Sequence, residues 1–328
     1  FVSSMVPANT CGRSSARGTH SDGIIRLVSP PRSTVAVVVN PTAGRGAGGA
    51  APIVIDALRS AGVEVRVVAA SDASALRERV DAVVGSGVAA VVVVGGDGLV
   101  NLAVGALAGR HVPLGIVPAG TGNDAARALG VPVDDPVEAT RRIVERLNGG
   151  SRPIDVGVVE TADGKTRRFL CAVSAGFDAL VNARADTMRF PRGSGRYTAA
   201  LLLELSRLRA RRYTVTIDDR PLAFRAVLLA VANLGSIGGG MRIVPFASPE
   251  DGALDVFSVA PVGRLRFLRL FPRVFSGRHT TLDVVSFARG RTVSLACDEP
   301  VVAYADGERM GPLPLRITIE EGPLRVLA

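Results

Sequence analysis

Three short aliphatic runs, Val35–Val39, Val91–Val94 and Leu114–Val117, each lead straight into a loop of small residues. The loops read Asn40-Pro41-Thr42-Ala43-Gly44-Arg45-Gly46, then Gly95-Gly96-Asp97-Gly98, then Pro118-Ala119-Gly120-Thr121-Gly122-Asn123-Asp124. Near-continuous valine runs read as strands buried on both faces, and the segments between them read as helices. That βαβα order predicts a parallel sheet covered on both sides. Such a sheet binds ligands at the carboxyl ends of its strands. Glycine there lets main-chain N–H groups come close to an anion. The pattern is that of a nucleotide-using enzyme.

Helices are expected over Gly48–Ala61, Ser71–Gly85 (capped by Ser71 or Asp72), Leu99–Ala108 and Asn123–Leu129. Beyond Gly149-Gly150 the grain changes. Strand-like runs follow at Ile154–Val159, Arg168–Ser174, Tyr213–Ile217, Arg225–Asn233, Ala253–Val259, Val284–Phe287, Thr292–Ala296, Val301–Tyr304, Leu315–Ile319 and Leu324–Leu327. Turn signals such as Ala162-Asp163-Gly164 separate several of them, and helices are expected at Tyr197–Arg211 and Arg264–Ser276. The chain therefore divides into a disordered leader (1–33), an α/β nucleotide-binding domain of three layers (34–150), and a mostly antiparallel β-sandwich (151–328) whose last strands return to the first domain.

Composition narrows the partners. The net charge is +9, and Lys165 is the one lysine, so arginine carries the basic balance. That balance favours polyanions: nucleotide phosphates, anionic lipid headgroups or nucleic acid. Aromatic residues make up only 4% and no zinc spacing occurs, which argues against nucleic acid. Cys11, Cys171 and Cys297 are too few and too scattered for a disulfide framework, in keeping with a reducing cytoplasm. No apolar run approaches the ~20 residues needed to span a bilayer, and the first 30 residues lack a signal-peptide core.

The commonest phosphate motifs are missing. The Walker-type pattern needs Gly-Lys-Ser/Thr, and the one lysine, Lys165, lies far from these loops; Gly44-Arg45-Gly46-Ala47-Gly48-Gly49 resembles a dinucleotide fingerprint, but the strand beyond it, Val63–Val68, offers no acid at its tip. Gly95-Gly96-Asp97-Gly98 is more specific, because an aspartate among three glycines after a valine strand serves no packing purpose. Its carboxylate suits a Mg²⁺–phosphate or a ribose hydroxyl, or else caps a turn. Asn123 and Asp124 read either as caps of the following helix or as part of a phosphate loop.

Taken together, Asn40-Pro41…Gly44, Gly95-Gly96-Asp97-Gly98…Asn101 and Pro118…Gly120-Thr121-Gly122-Asn123-Asp124-Ala125-Ala126-Arg127 resemble the bacterial diacylglycerol kinase-like lipid kinases. These are related to sphingosine and ceramide kinases and more distantly to NAD kinases. Later elements match in the same order: Asp155-Val156-Gly157, Ser174-Ala175-Gly176-Phe177-Asp178, Asn233, Pro249–Asp255 and Asp306-Gly307-Glu308. The resemblance runs from about Thr34 to the C-terminus.

It implies ATP, with Mg²⁺, bound between the domains and a γ-phosphoryl transfer to a lipid hydroxyl, most simply that of diacylglycerol. The nucleotide would lie on Gly95, Gly96, Asp97, Gly98, Leu99, Val100 and Asn101, with Thr121, Gly122, Asn123 and Asp124 from the next loop and Asn40, Gly44 and Arg45 from the first. Glu308 matches the carboxylate that takes the lipid hydroxyl's proton, and Asp97 shares the catalytic work; on the residues alone Asp-Gly-Glu is a good hairpin turn. Ser248, Asp251 and the Ala253 carbonyl match a structural metal loop, suited to Mg²⁺ or Ca²⁺, although Asp251-Gly252 equally reads as a β-turn. The chain departs from the family pattern where Leu99 and Leu102 replace a Thr and a Glu, and at Ala69-Ala70.

Two rivals follow from these features: an NAD kinase-like phosphotransferase and a nucleotide-binding regulator without turnover. A cytoplasmic lipid kinase must visit an anionic membrane surface. Arg264–Arg278, with five arginines among Leu265, Phe267, Leu268, Leu270, Phe271, Val274 and Phe275, is one candidate contact, although Pro272 interrupts it. Met188–Tyr197, with Arg189, Arg192 and Arg196, is the other.

Overall fold

The computed structural model describes residues 33–328 apart from 41–43, 71, 189 and 191–193. The expected leader up to Arg32, the Ser71 cap and Arg189 and Arg192 therefore lie outside the described residues. Strands β1 (Thr34–Val39), β2 (Glu64–Ala69), β3 (Ala90–Gly95) and β4 (Leu114–Pro118) run parallel in the order β2-β1-β3-β4. β3 and β4 are buried throughout, and only the edge strand β2 carries charged residues, Glu64 and Arg66. This is the burial that unbroken valine runs require.

Five helices cover the sheet: α1 (Gly44–Ser60), α2 (Ala73–Gly85), α3 (Asp97–Leu107), α4 (Asp124–Ala128) and α5 (Pro136–Gly149). α1 packs beside α5 and α2 beside α3, completing three layers. Asp72 caps α2 by accepting from the Ser74 and Ala75 N–H groups, and Asp135 caps α5 with Pro136 in its first turn. α1 begins at Gly44 rather than Gly48, so Gly44 and Arg45 belong to its first turn.

The second half holds β5 (Arg152–Thr161), β6 (Thr166–Phe169), β7 (Ala172–Ser174), β8 (Arg211–Ile217), β9 (Arg220–Ala226), β10 (Leu228–Ala232), β11 (Leu254–Val259), β12 (Val285–Gly290), β13 (Thr292–Cys297), β14 (Val302–Ala305), β15 (Glu308–Pro312) and β16 (Leu315–Val326). Helices α6 (Phe177–Thr187), α7 (Ser194–Ser206) and α8 (Arg264–Leu270) interrupt them. One sheet runs β12-β11-β10-β7-β14-β15 and is antiparallel. The other continues the parallel sheet itself, β4-β16-β13-β8-β9, with β5 and β6 alongside β16. Their facing sides bury Phe169, Val173, Tyr213, Leu229, Val231, Val293 and Leu295 as a sandwich core. β16 joins the two halves: Leu315 pairs with Leu295 of β13, and Val326 pairs with Leu114 of β4.

Several expected elements are divided differently. Arg168–Ser174 is two strands in different sheets, because the N–H groups of Leu170, Cys171 and Ala172 all turn to the Asp306 carboxylate. Arg225–Asn233 likewise changes sheets at Val227, whose N–H donates to Val259. The expected helix Arg264–Ser276 stays α-helical only to Leu270 and continues as a 3₁₀ turn over Phe271–Val274, where Pro272 supplies no N–H. Leu315–Ile319 and Leu324–Leu327 form one strand, with an irregularity between Glu320 and Leu324.

Candidate active site

Register alone gathers the three loops. Val39 lies opposite Val94, and Val94 opposite Val117, so Asn40, Gly96 and Ala119 leave neighbouring strands at the same edge. The second and third loops touch: a Cβ at Gly120 would stand 2.4 Å from the Gly96 Cα, so neither bend tolerates a side chain there. The Ala119 N–H donates to the Gly95 carbonyl at 2.9 Å. Asn40 is half-buried at this edge; Pro41–Ala43 lie outside the described residues.

Asp97 opens α3 and reaches across to α4, where its Oδ1 accepts the Ala125 N–H at 3.2 Å. Its Oδ2 faces Gly122, and a Cβ on that glycine would approach it to 2.6 Å. Burial and the nearby Asp124 charge raise the Asp97 carboxyl above its usual range, while the N–H groups of Ala125, Asp124 and Asn123 pull it back. Gly98 and Thr121 are exposed beside it. Leu99 and Val100 are buried, only 9% and 3% exposed, and both their N–H groups donate to the Gly96 carbonyl. Leu99 and Leu102, three apart, are both buried, and Leu99 packs against Gly95.

The side chains of Asn123 and Asp124 hold loops in place. Asn123 sits at φ 56° and bonds Gly120 twice, accepting its N–H at 3.0 Å and donating to its carbonyl at 2.9 Å. Asp124 accepts from the Ser236 hydroxyl and from the N–H groups of Gly239 and Gly240, all within 2.8 Å. It thereby fastens the 236–240 loop of the second half to the rim.

Asp306 is the group that the sequence reading left without a role of its own. It accepts N–H bonds from Leu170 (2.6 Å), Cys171 (2.9 Å) and Ala172 (3.1 Å), and a fourth bond from Asn101 at 3.2 Å. Burial pushes its carboxyl up to about 6 despite those donors. Asn101 lies four residues after Asp97 on α3, so one helix face bears both residues. Glu308, two residues past Asp306 in the same turn, is exposed at the cavity wall. The only hint in the sequence was the Asp-Gly dipeptide, which signals a turn and nothing more.

Ser248–Ala253 closes on Asp155, which accepts from Gly252 and Gly322, each at 2.8 Å. Asp251 forms an ion pair with Arg289 and also accepts the Ala253 N–H at 3.2 Å. A divalent cation on that carboxylate would have to displace the guanidinium. Among the described residues no group of three or more His, Cys, Asp or Glu gathers as a metal site.

A single cavity of about 860 Å³ begins at Asp97, Gly98, Thr121 and Gly122, passes Asp306, Gly307 and Glu308, and extends into an apolar chamber. The chamber lies over the six-stranded sheet, between α6 and the Arg264–Val274 segment. Its aromatic wall steps from Phe177 to Phe267 (5.1 Å between centroids), Phe271 (5.7 Å) and Phe275 (6.1 Å). Asp178, one residue after Phe177, faces this chamber; burial pushes its carboxyl up to about 6, against the pull of the Ser174 hydroxyl. Outside the chamber, Leu265 is 86% and Leu268 48% exposed, whereas Phe267 and Val274 pack inward. Among the described residues no helix is long and apolar enough to cross a membrane.

The chain's relatives have the same organisation. Residues 34–159 match the family described as diacylglycerol kinase catalytic domain, and residues 171–328 the YegS C-terminal NAD kinase beta sandwich-like domain. A diacylglycerol kinase of Mycobacterium tuberculosis is 41% identical over 295 residues, covering 89% of this chain and 94% of that protein. A diacylglycerol kinase of Bacillus subtilis is 27% identical over 227 residues, 68% of this chain and 72% of that protein. A crystal structure of a diacylglycerol kinase from Bacillus anthracis str. Sterne shares the fold, with a TM-score of 0.68 at 21% identity over 91% of this chain and 97% of that one.

Proposed function

The chain belongs to the diacylglycerol kinase-like lipid kinases, and from that premise we propose that it transfers the γ-phosphoryl group of ATP to the hydroxyl of a lipid alcohol. Diacylglycerol, giving phosphatidic acid, is the simplest such alcohol. The observation that carries this reading is the continuity of the cavity: one space joins a glycine-lined rim to an aromatic and aliphatic chamber, with Glu308 on the wall between them.

Each end suits a different part of the reaction. At the rim, the amino-terminal ends of α3 and α4 aim partial positive charge at an anion. Asp97 and Thr121 flank that position, and bound Mg²⁺ would neutralise phosphate charge next to the Asp97 carboxylate. In the chamber, acyl chains would replace water against Phe177, Phe257, Phe267 and Phe271, so the hydrophobic effect holds the lipid with its hydroxyl toward the rim. Glu308 then accepts the hydroxyl proton as the oxygen attacks the γ-phosphorus and the bond to the bridging oxygen breaks, releasing ADP. Catalysis consists of placing the two reactants and neutralising charge, because phosphoryl transfer needs little else from a protein.

Membrane contact completes the reading. Leu265 and Leu268 project beside Arg264 and Arg269 at the chamber's outer wall, where an anionic bilayer would meet both the apolar and the charged groups. Incubating the purified chain with γ-labelled ATP, Mg²⁺ and a bacterial total lipid extract, followed by mass spectrometry, tests the proposal. A labelled lipid phosphate is expected; label on NAD with none on lipid would overturn it.

A further inference from the structure

A chamber built for hydrocarbon should contain no polar atom without a partner, since a buried unsatisfied group costs the desolvation it never recovers. Among the described residues this one contains two. Asp178 Oδ1 is buried and has no hydrogen-bond partner, and His279 Nδ1 is in the same condition. Both residues line the cavity. His279 sits 2.8 Å from the Ile243 carbonyl through Nε2, which fixes the proton on that nitrogen and leaves Nδ1 a bare acceptor. Both vacancies are thus acceptor positions. Of the two, Asp178 is linked to the catalytic turn through the sheet: Ser174, which ends β7, is paired with Tyr304, and Tyr304 lies in the strand leading to Asp306 and Glu308.

We propose that Asp178 reads the lipid headgroup by accepting a hydrogen bond, through Oδ1, from a donor that the lipid carries in addition to the hydroxyl being phosphorylated. An amide N–H or a second free hydroxyl next to the reacting carbinol supplies that donor. This rests on the lipid kinase reading and sharpens its substrate class. A diester has only carbonyl acceptors near its single hydroxyl and leaves Oδ1 unpaired, whereas an amide-linked or partly acylated alcohol satisfies it. A site that hydrogen-bonds one substrate group discriminates against the analogue lacking it because its own buried group is then stranded.

Three probes that share the palmitoyl chain test this with the full chain: dipalmitoylglycerol, its analogue with an amide replacing the ester beside the carbinol, and monopalmitoylglycerol. Binding is read by displacement of a fluorescent acyl probe, and turnover by transfer of label from ATP, for the wild type and for Asp178→Ala. The wild type is expected to favour the amide or the free-hydroxyl lipid over the diester by about tenfold to a hundredfold, the range of a hydrogen bond to a charged group. In Asp178→Ala that preference should collapse while dipalmitoylglycerol binding holds. The responding probe identifies the donor as N–H or O–H. Equal treatment of all three lipids by the wild type, or a ratio unmoved in the variant, overturns the proposal; a water bound at Oδ1 alone would give that result. Preferential binding without transfer of label would uphold the Asp178 assignment and sink the kinase reading. No binding of any probe would sink both.

Discussion

Asp306 and Asp178 invite comparison. Both line the same cavity, and burial pushes both carboxyls up to about 6. Their surroundings differ. Asp306 accepts three successive main-chain N–H groups and the Asn101 amide. Asp178 has an oxygen with no partner at all. The first is saturated and fixes the turn that carries Glu308; the second leaves a hydrogen-bonding position open inside an apolar chamber. Equal acidity therefore accompanies opposite duties, and the number of donors distinguishes them where a titration would not.

The sharpest way to separate the two ends of the cavity is Glu308→Gln. It should lower kcat by about 10²–10⁴, the usual contribution of a general base, while ATP binding measured by calorimetry stays at wild-type strength; an active variant removes Glu308 from that role. Next in size, Asp306→Ala strands three buried N–H groups and should destabilise the fold by about 3 kcal/mol or more. The same substitution at Asp178 loses the Ser174 hydroxyl's bond while relieving a buried carboxylate, so it should shift the midpoint of denaturant unfolding much less. Equal losses for the two variants would break the comparison.

A pH series gives the third effect. Each carboxyl holds its proton more tightly in the folded chain than the ordinary value of 3.8 allows. The resulting stabilisation is complete below that ordinary value and is lost as pH rises through about 6. At about 1.4 kcal/mol per pKa unit the change amounts to about 3 kcal/mol per group. Asp178→Asn removes one of these titrations, so its stability relative to wild type should improve between pH 4 and pH 7. A gap that stays constant across the series would show that Asp178 is not buried as described. The smallest effect belongs to the outer wall. Leu265→Asp should weaken pelleting with anionic vesicles by about 1 kcal/mol, roughly fivefold, without altering turnover of a lipid dispersed in detergent.

The rim was legible because its cause is local. Aliphatic strands of the right length and glycine at the bends leave few other structures for residues 34–130, and the chief misplacements were the starts of α1 and α3, four and two residues late. The sandwich was legible as a class, but its strand breaks were not, since the pull on Leu170–Ala172 comes from Asp306, 136 residues from Leu170. Helix α6 escaped notice because Ser174–Asp178 reads as a loop and the Ala, Asn and Arg that follow show no apolar stripe. Leu99 and Leu102 were visible as departures; only the phase of α3 reveals that both are buried, Leu99 against Gly95. Asp178 stood in a recognised motif, yet an empty acceptor is a property of surroundings and has no signature in sequence.

The pairing of β16 with both β4 and β13 has a consequence for synthesis. Strand β4 waits at the margin of the parallel sheet until Val326 has left the ribosome, with about 200 intervening residues emerging at roughly 5–20 per second. Throughout that interval the nascent amino-terminal half displays an aliphatic border, Leu114–Pro118, open to intermolecular strand addition. The twelve residues of β16 act as the clasp that shields this border, so a chaperone holding the border covered until β16 is synthesised would raise the yield of folded chains.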